Sequence, residues 1–355
     1  MPPKVEAPPP ETGFLHPHAL ANKYLPKEYW DYENSTLEWG SVEPYEVMQK
    51  IGKGKYSEVF RGRNRANNQT CVVKVLKPIK SKKINREITI LQHLYGGPNI
   101  IRLLDAAFEP TTEIPVLVFE NINSTDFRLL YPTFTPNDIR FYIFQILMAL
   151  DFCHSMGVMH RDIKPQNLVI DHASRKLRVI DWGLGEYYLH RTPYNIRVAS
   201  RHYKGPELLI GYRFYDYALD IWSLGCVLGG MMFRKDILFQ GSDNNDQLAR
   251  IASVLGSEGL DAYIAKYTPV FPKDFDPSVL ELNKPKRPWA SLVTPATESR
   301  CTPDAIDLLD KMMRYDHEER ILPRDAMKHP YFDSVRDECL KAVEDPTLLM
   351  RYGKK

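Results

Sequence analysis

Two short stretches near the middle of the chain combine residue types that can move a phosphoryl group. The first reads His160-Arg161-Asp162-Ile163-Lys164-Pro165-Gln166-Asn167, and Asp181-Trp182-Gly183 begins fourteen residues later. Asp162 can orient a hydroxyl nucleophile and accept its proton. Asn167 and Asp181 can hold magnesium, and Lys164 can neutralise charge on the transferred group. An Asp after a basic residue is more often a turn former than a catalyst, so this hypothesis requires partners elsewhere in the sequence.

Composition places the chain among ordinary globular proteins. Its 355 residues allow two domains or one bilobal unit, and its apolar and charged fractions of 43% and 26% are near average. Without a run of about 18 apolar residues or an apolar leader, we expect neither a membrane span nor secretion. The five cysteines are scattered and predict core thiols in a reducing compartment. The net charge of +2 says little, because the distribution of charge decides which ligands are attracted.

The two ends of the chain are predicted to lie outside its main body. Residues 1–44 form an N-terminal extension, in which five prolines among the first ten positions predict flexibility over residues 1–20. Residues 23–44 contain Tyr29-Trp30-Asp31-Tyr32, and three aromatics so close together are costly to leave in water. We therefore expect this part to dock on the folded body, with plain surface packing as the alternative. Residues 336–355 are predicted to be a C-terminal tail.

A glycine-containing hairpin is predicted near the start of the body. Gly52-x-Gly54-x-x-Ser57 lies between two predicted strands and not between a strand and a helix. This context argues against a dinucleotide fold and favours a flap that closes over phosphates. The predicted nucleotide-contacting residues of the flap are Gly52, Lys53, Gly54, Lys55, Tyr56 and Ser57.

A lysine and a glutamate then form a predicted pair. Lys74 follows Cys71-Val72-Val73 and would place a charge at the edge of a covered pocket, although a lysine snorkelling from a strand end is the alternative. The next segment, 81–95, has apolar residues at helical spacing, with Glu87 beside the apolar stripe. Because a carboxylate next to a buried face usually has a cationic partner, we expect Glu87 to hold Lys74.

Beyond residue 122 the pattern changes from strands to long helices. Thr135-Pro136 is typical of a helix start, and residues 139–153 are apolar nearly all round, which predicts a buried helix. Short predicted strands over 168–170 and 177–180 flank a turn. Asp162, Asn167 and Asp181 are therefore all presented from loops or strand ends.

This order of parts resembles the eukaryotic protein kinase family over residues 45 to about 335. Its motifs are matched in chain order by Lys74, Glu87, Asp162, Asn167 and Asp181, by Gly205-Pro206-Glu207 in place of Ala-Pro-Glu, and by Asp220-Ile221-Trp222-Ser223-Leu224-Gly225. The resemblance implies an α+β bilobal fold. A small antiparallel β lobe with one helix would span residues 45–122, and a larger, mostly helical lobe would span residues 123–335. It also implies a pair between Arg320 and Glu207, and Lys164 resembles the serine/threonine branch.

The resemblance also implies roles for the site residues. Lys74, held by Glu87, would grip the phosphates of ATP or GTP, while Asn167 and Asp181 would bind Mg²⁺. The nucleotide base would lie in an apolar sandwich, with backbone hydrogen bonds at the junction of the lobes. The sandwich residues are Val59, Val72, Phe119, Val169 and Ile180, and the junction residues are Glu120 and Ile122. The five apolar positions fit an ordinary core equally well.

Departures from the general kinase pattern narrow the resemblance. Trp182 replaces the usual Phe, Ser57 replaces the third loop glycine, and Gly205 stands where Ala is common. Together with Lys80-Ser81-Lys82-Lys83 and Glu28-Tyr29-Trp30-Asp31-Tyr32-Glu33, these features are similar to the casein kinase II catalytic (alpha) subunits.

That closer resemblance carries further implications. It implies constitutive activity, with residues 29–32 docking against residues 186–188, and a location in cytoplasm and nucleus. It also implies an α2β2 tetramer in which a dimeric regulatory (beta) subunit docks on the outer first-lobe sheet. Phe60, Val73 and Val75 are candidate docking positions, and sheet core is the alternative for each of them.

Basic residues are concentrated in two segments. One lies around the first-lobe helix and the other between Asp181 and Glu207. If both segments face one cleft, they favour acidic protein substrates, with Asp, Glu or phosphoserine after the acceptor. The predicted substrate-binding residues are Lys80, Lys82, Lys83, Arg197, Arg201 and Lys204. A solvated helix start, a nuclear import signal and binding of polyanions such as heparin are the alternatives for the lysines.

The favoured hypothesis is therefore a constitutively active, acidophilic and otherwise non-specific serine/threonine protein kinase. A pseudokinase scaffold is the first alternative, but such scaffolds usually lack Lys74, Asp162 or Asp181, and all three are present. A polyanion-binding module that uses the lysine cluster is the second alternative, and it would not need the catalytic set.

Overall fold

The computed structural model describes residues 15–54, 56–78 and 80–341. Lys55, most of the predicted flexible tail (residues 1–14) and most of the predicted C-terminal tail (residues 342–355) lie outside the described residues. Within the described ranges, none of the helices has both the length and the apolar character needed to cross a bilayer. All five cysteines lie buried as free thiols.

A six-stranded sheet forms the first lobe, in the order β1-β5-β6-β4-β3-β2. The strands are β1 Gly40–Ser41, β2 Tyr45–Lys53, β3 Ser57–Asn64, β4 Thr70–Leu76, β5 Leu103–Glu109 and β6 Ile114–Glu120. The short β1 pairs parallel with β5, and the other neighbours are antiparallel. Sequence patterns did not predict β1, because two residues are too few to show alternation.

The two faces of this sheet bury different groups. On β4, Cys71 and Val73 point to an outer apolar cluster with Val116 and Val118. Alternate residues of the same strand point to the opposite face, which lines the cleft between the lobes. Lys74 is one of these residues, so the alternation of β4 aims its side chain into the cleft.

Helix α2, Ser81–His93, contacts strand β5 of the first lobe and the turn Trp182–Leu184 of the second. A short helix α1, Lys27–Trp30, precedes the sheet. Ile88 and Leu91 are buried, as the helical spacing predicts. The prediction that the helix continues to Tyr95 is wrong, because the helix ends at His93 and Tyr95 is 62% exposed. Gly96, with a φ of +79°, turns the chain there.

The second lobe is mostly helical. Its helices are α3 Phe127–Leu130, α4 Pro136–Ser155, α5 Pro206–Leu209, α6 Ala218–Phe233, α7 Asn244–Leu255, α8 Ser257–Tyr267, α9 Pro303–Met312, α10 Pro323–Met327 and α11 Arg336–Lys341. The second lobe also has two antiparallel strand pairs, β7 Val158–Met159 with β10 Glu186–Tyr187 and β8 Leu168–Asp171 with β9 Lys176–Val179. The α+β bilobal prediction is confirmed.

Two helices form the centre of the second lobe. Helix α4 begins with a capping box between Thr135 and Asp138 and is buried along most of its length, as its apolar pattern predicts. Helix α6 is buried almost throughout and packs against α4. The loop with Asp162 follows α4 in the chain, and the loop with Ser200 precedes α6, so these two helices position the candidate site.

The N-terminal extension runs across both lobes. Asn22 donates hydrogen bonds to the carbonyl oxygens of Gly157 (2.8 Å) and Tyr188 (3.0 Å) in the second lobe. The Tyr29 hydroxyl donates to the Met156 carbonyl oxygen at 3.1 Å, and Asn85 of α2 donates to the Tyr32 carbonyl oxygen at 3.4 Å. The extension therefore contacts α2 on one side and the loop before β7 on the other.

Candidate active site

A buried carboxylate at the start of α6 holds the loop that carries Asp162. Oδ1 of Asp220 accepts the Arg161 backbone N–H at 2.7 Å, and Oδ2 accepts the His160 backbone N–H and His154 Nε2, both at 2.9 Å. Burial alone would raise the pKa of Asp220, but the bonds from His154 and the backbone outweigh it and lower that pKa. Arg161 has a φ of 66°, a left-handed conformation that this anchoring stabilises.

The imidazole ring of His160 holds the next residues of the same loop in place. Its Nδ1 accepts the Asp162 backbone N–H at 3.1 Å, so the proton of a neutral ring lies on Nε2, which faces the Ile180 carbonyl oxygen at 3.1 Å. The ring also packs edge-on against Trp182, with centroids 4.6 Å apart. His160 thereby links the Asp162 loop to the segment that presents Asp181.

The Asp162 carboxylate is the point where several side chains converge. Lys164 Nζ lies 2.6 Å from Oδ2, and Asn167 Nδ2 donates to the same oxygen at 3.2 Å. Oδ1 accepts the backbone N–H of Ser200 at 2.9 Å and its hydroxyl at 3.1 Å, and Lys164 also donates to that hydroxyl at 2.9 Å. Sequence reasoning missed Ser200 as a partner of Asp162, because no spacing rule connects residues 38 positions apart.

The structure brings the predicted pair Lys74 and Glu87 together, and it adds Asp181. Lys74 Nζ lies 2.6 Å from Oε1 of Glu87 and 3.2 Å from Oδ1 of Asp181. Burial would lower the pKa of Lys74, but the two carboxylates outweigh it and raise that pKa, so the ammonium stays charged. Burial would raise the pKa of Asp181, but Lys74 lowers it, so this carboxylate stays ionised.

Tryptophan 182 fixes the position of Asp181. Its side chain is 1% exposed, and the indole N–H donates to the Val179 carbonyl oxygen at 3.2 Å. Asp181 itself has a φ of 60°, and its side chain is half exposed to the cleft. The buried ring thus anchors a strained residue whose carboxylate is open to a ligand.

The arrangement fits a magnesium–nucleotide ligand. Asn167 uses its NH₂ group on Asp162, which leaves its Oδ1 as an acceptor. Its backbone carbonyl oxygen accepts the N–H of Ile180, the residue before Asp181, at 2.9 Å. An amide oxygen and a carboxylate suit Mg²⁺, which prefers few protein ligands together with phosphate oxygens. Among the described residues no group of three or more His, Cys, Asp and Glu could hold a metal without such help. Bound there, magnesium would neutralise charge on the phosphates.

The glycines of the β2–β3 hairpin leave an open surface. A Cβ on Gly52 would lie 3.5 Å from Val59 Cβ, and one on Gly54 would lie 3.5 Å from Ser57 Oγ, so the chain itself has room for a side chain at both positions. Neither glycine has a positive φ. The open space above both glycines would allow a ligand to approach the backbone closely. Lys77 Nζ donates to the Gly54 carbonyl oxygen at 3.0 Å and so contacts the end of the hairpin.

Strand register places the first-lobe members of the predicted base sandwich on one face. Val59 lies opposite Lys74 on β4, and Val72 lies opposite Phe119 on β6, so these residues share the cleft face. Their partners from the second lobe, Val169 and Ile180, are partly buried, as is Ile122. The Glu120 side chain is held by Arg178 at 2.7 Å. The Glu120 backbone N–H donates to the Arg102 carbonyl oxygen at 3.1 Å, so this N–H is already used within the chain.

The six predicted substrate-binding residues fall into three different situations. Lys80, Arg197 and Arg201 are exposed, and Arg201 donates to the Ser242 carbonyl oxygen. Lys82 pairs with Glu33 at 2.9 Å, and Lys83 lies over the Tyr56 ring at 5.2 Å, next to the hairpin. Lys204 is half-buried and donates to the Val198 carbonyl oxygen at 2.6 Å. Burial lowers the pKa of Lys204 to about 8, although Asp162 acts in the opposite direction.

A second charged cluster lies on the far side of the Asp162 loop. Oε2 of Glu186 is 2.7 Å from Arg86 Nη1, 3.6 Å from Arg161 Nη2 and 3.3 Å from the Tyr32 hydroxyl. This carboxylate therefore joins α2, the catalytic loop and the N-terminal extension. Sequence reasoning did not assign Arg86 to it, because the two residues are 100 positions apart.

The pair that the kinase resemblance implies between Glu207 and Arg320 is present. Both side chains are fully buried, and two parallel bonds of 2.7 Å join them. A Cβ on Gly205 would come within 2.5 Å of the Glu207 carboxyl group. This close approach explains why glycine stands at a position where Ala is common.

A comparison with protein-family models agrees with this geometry. The chain matches the model described as Protein kinase domain over residues 45–332, which includes Lys74, Glu87, Asp162, Asn167 and Asp181. Members of this family are phosphotransferases that use ATP and Mg²⁺. The match covers well over half of the sequence, and the chain belongs to the protein kinase family.

Proposed function

We propose that the chain is a constitutively active, acidophilic serine/threonine kinase of the casein kinase II catalytic (alpha) subunit type. The observation that carries the proposal is the position of Glu186 between Arg86 and Arg161. In many kinases a phosphorylated residue supplies the negative charge that orders the segment beside this arginine of the catalytic loop. Here the chain supplies that charge itself, so activity needs no prior phosphorylation.

Contacts at Asp162 support serine and threonine as acceptors. Lys164 reaches both Asp162 and the Ser200 hydroxyl, and it would place a positive charge beside an aliphatic hydroxyl bound at the same carboxylate. In the reaction the acceptor oxygen forms a bond to the γ-phosphorus, the bond to the leaving ADP breaks, and Asp162 receives the hydroxyl proton. Most of the rate acceleration comes from positioning and charge neutralisation.

The charge around Asp162 supports an acidic substrate. Arg197, Arg201 and Lys204 lie on the same loop as Ser200, which contacts Asp162 directly. On the first-lobe side, Lys83 borders the hairpin through its contact with Tyr56. Acidic residues after the acceptor would therefore meet cations from both lobes.

A regulatory (beta) subunit forms the remaining part of the proposal. Phe60, Val73 and Val75 share the outer face of the first-lobe sheet, which is the face away from the nucleotide. Val73 is buried within that face, and the other two are partly exposed. Phe60→Ala should therefore weaken binding of a beta-subunit dimer in analytical ultracentrifugation more than it weakens kinase activity.

The central test is a phosphotransfer assay on matched peptides. The wild-type protein should phosphorylate a serine peptide with Asp or Glu after the acceptor far better than the same peptide with Asn or Gln, and it should not phosphorylate the tyrosine version. Pretreatment with a phosphatase should leave the rate unchanged. Asp162→Asn is the control for catalysis, and Lys80, Lys82, Lys83→Ala is the control for charge recognition.

Each alternative has its own signature in this assay. Equal rates for the wild-type protein and Asp162→Asn would indicate a pseudokinase scaffold. Strongly salt-dependent binding to heparin without turnover would indicate a polyanion-binding module. A triple lysine variant that loses as much activity on neutral as on acidic peptides would contradict the acidic preference.

A further inference from the structure

An open groove lies in the second lobe next to the substrate loop, which comprises residues 197–204. Its walls are residues 235–242, helix α7 and residues 287–292, and its volume is about 970 Å³. None of the residues assigned above to nucleotide, metal or catalysis lines it. The groove is large enough for several residues of an extended peptide.

Direct hydrogen bonds join this groove to the substrate loop. Arg201 donates to the Ser242 carbonyl oxygen, and His202 Nε2 contacts the Gly241 carbonyl oxygen at 3.2 Å. Gly241 in turn donates its N–H to Gln247 at 3.0 Å, and a Cβ on Gly241 would overlap the Gln247 backbone. The groove is therefore rigidly attached to the loop that carries Arg197, Arg201 and Lys204.

Two cations of the groove have no anionic partner in the part of the chain that the structure describes. Within residues 15–54, 56–78 and 80–341, no carboxylate forms an ion pair with Lys235 or Arg287, and both side chains are exposed. Arg250 differs, because it pairs with Asp246 at 3.1 Å. Asp246 also accepts the Ser242 N–H at 2.8 Å. These bonds lower the pKa of Asp246 and engage its carboxylate within the groove wall. Asp236 is the remaining carboxylate of the lining.

Below these cations the floor of the groove is apolar. Leu238 and Phe239 are buried in it, and Leu292 closes one side. A floor of this kind can cover the aliphatic part of glutamate side chains while their carboxylates reach the rim. The groove can thus bind both parts of a glutamate side chain, with its methylene groups on the floor and its carboxylate at the cations of the rim.

We propose that this groove is a second substrate subsite, which binds acidic residues separated by several positions from the acceptor serine or threonine. The inference rests on the proposed acidic preference and extends it from the neighbours of the acceptor to a distant acidic segment of the protein substrate. Charge complementarity at Lys235 and Arg287, and continuity with Arg201 through Ser242, carry it.

The test compares three peptides that share one acidic acceptor core. The first is the core alone, the second adds a Gly-Ser spacer and four glutamates, and the third adds the same spacer and four glutamines. The extension is placed after the core in one set and before it in another. For the wild-type protein, the glutamate extension on at least one side should raise kcat/KM by about three- to tenfold over glutamine, mainly through KM, which corresponds to two exposed ion pairs.

The double variant Lys235→Ala, Arg287→Ala should lose this advantage and should keep its rate on the core peptide within about twofold. A charge-matched control, Arg65→Ala, Lys328→Ala, removes two exposed cations from other surfaces and should retain the advantage. Fluorescence anisotropy with the labelled glutamate peptide should show the same loss of affinity in the double variant, and this measurement does not depend on turnover.

Three outcomes would overturn the subsite. The first is equal kcat/KM for the glutamate and glutamine peptides in the wild-type protein, with the core peptide still phosphorylated, which would leave the proposed function intact. The second is an advantage that persists in the double variant. The third is equal anisotropy for the wild-type protein and the double variant. Failure to phosphorylate the acidic core peptide would instead contradict the proposed function, and the anisotropy would still report on the groove.

Discussion

Replacing Asp220 by asparagine measures how far the catalytic loop depends on one buried carboxylate. Its two oxygens accept three hydrogen bonds, from the backbone of His160 and Arg161 and from His154. An asparagine oxygen in the place of Oδ2 keeps two of these bonds, but its NH₂ group then faces the Arg161 N–H. One buried donor is left unpaired, and the remaining bonds lose the assistance of a negative charge.

The cost follows from these contacts. An unpaired buried donor costs about 1–3 kcal/mol, and the loss of charge assistance adds about 1 kcal/mol, so Asp220→Asn should lower the free energy of unfolding by about 2–4 kcal/mol. Because Asp162 lies directly after the two anchored residues, kcat should fall by about a hundredfold through misplacement of its carboxylate. Thermal unfolding and steady-state kinetics with an acidic peptide measure the two effects.

Asp276→Asn is the matched control, since Asp276 accepts the Ser278 N–H at 3.0 Å on the protein surface and should be nearly silent. The pKa of Asp220 is lowered by folding, so its stabilisation is present above the ordinary carboxyl pKa and is lost as pH falls through the folded value. The wild-type protein and Asp220→Asn should therefore converge in stability at strongly acidic pH. Equal stability and equal kcat at neutral pH would refute the anchoring role.

Three further predictions address separate parts of the molecule. Glu207→Ala leaves the Arg320 guanidinium buried without its partner, and it should lower the free energy of unfolding by about 3–5 kcal/mol in chemical denaturation; a loss below about 1 kcal/mol would contradict the buried pair. Lys204 has its pKa lowered to about 8, so kcat/KM for acidic peptides should fall about threefold as pH rises from 7 to 9, and Lys204→Arg should remove that fall. A pH profile that is identical in the two proteins would exclude Lys204 from recognition. Glu186→Gln should weaken the contact with Arg161 and lower kcat at least tenfold in both phosphatase-treated and untreated enzyme, whereas restoration of the rate by phosphorylation of the chain would argue against constitutive activity.

Sequence reasoning identified the interactions that local patterns encode. Glu87 stands beside an apolar stripe at helical spacing, and Lys74 follows three apolar residues of a strand. A pair between them is therefore predicted from local patterns of apolar and charged residues, and it is present. Ser200 and Asp162 are different, because their contact depends on the path of a long loop across the second lobe. Glu186 depends likewise on how α2 approaches β10. The groove near Lys235 has no sequence signature, because three separate segments form it.

The contacts of Asn22 impose an order on the assembly of the chain. Its acceptors, Gly157 and Tyr188, are 135 and 166 residues further along the sequence. At the usual synthesis rate of about 5–20 residues per second, the ribosome makes Tyr188 roughly 10–30 seconds after Asn22. The extension is thus translated before both of its acceptors and is among the last parts to reach its final position. A nascent chain that ends before Tyr188 lacks one of the two carbonyl oxygens that accept hydrogen bonds from Asn22.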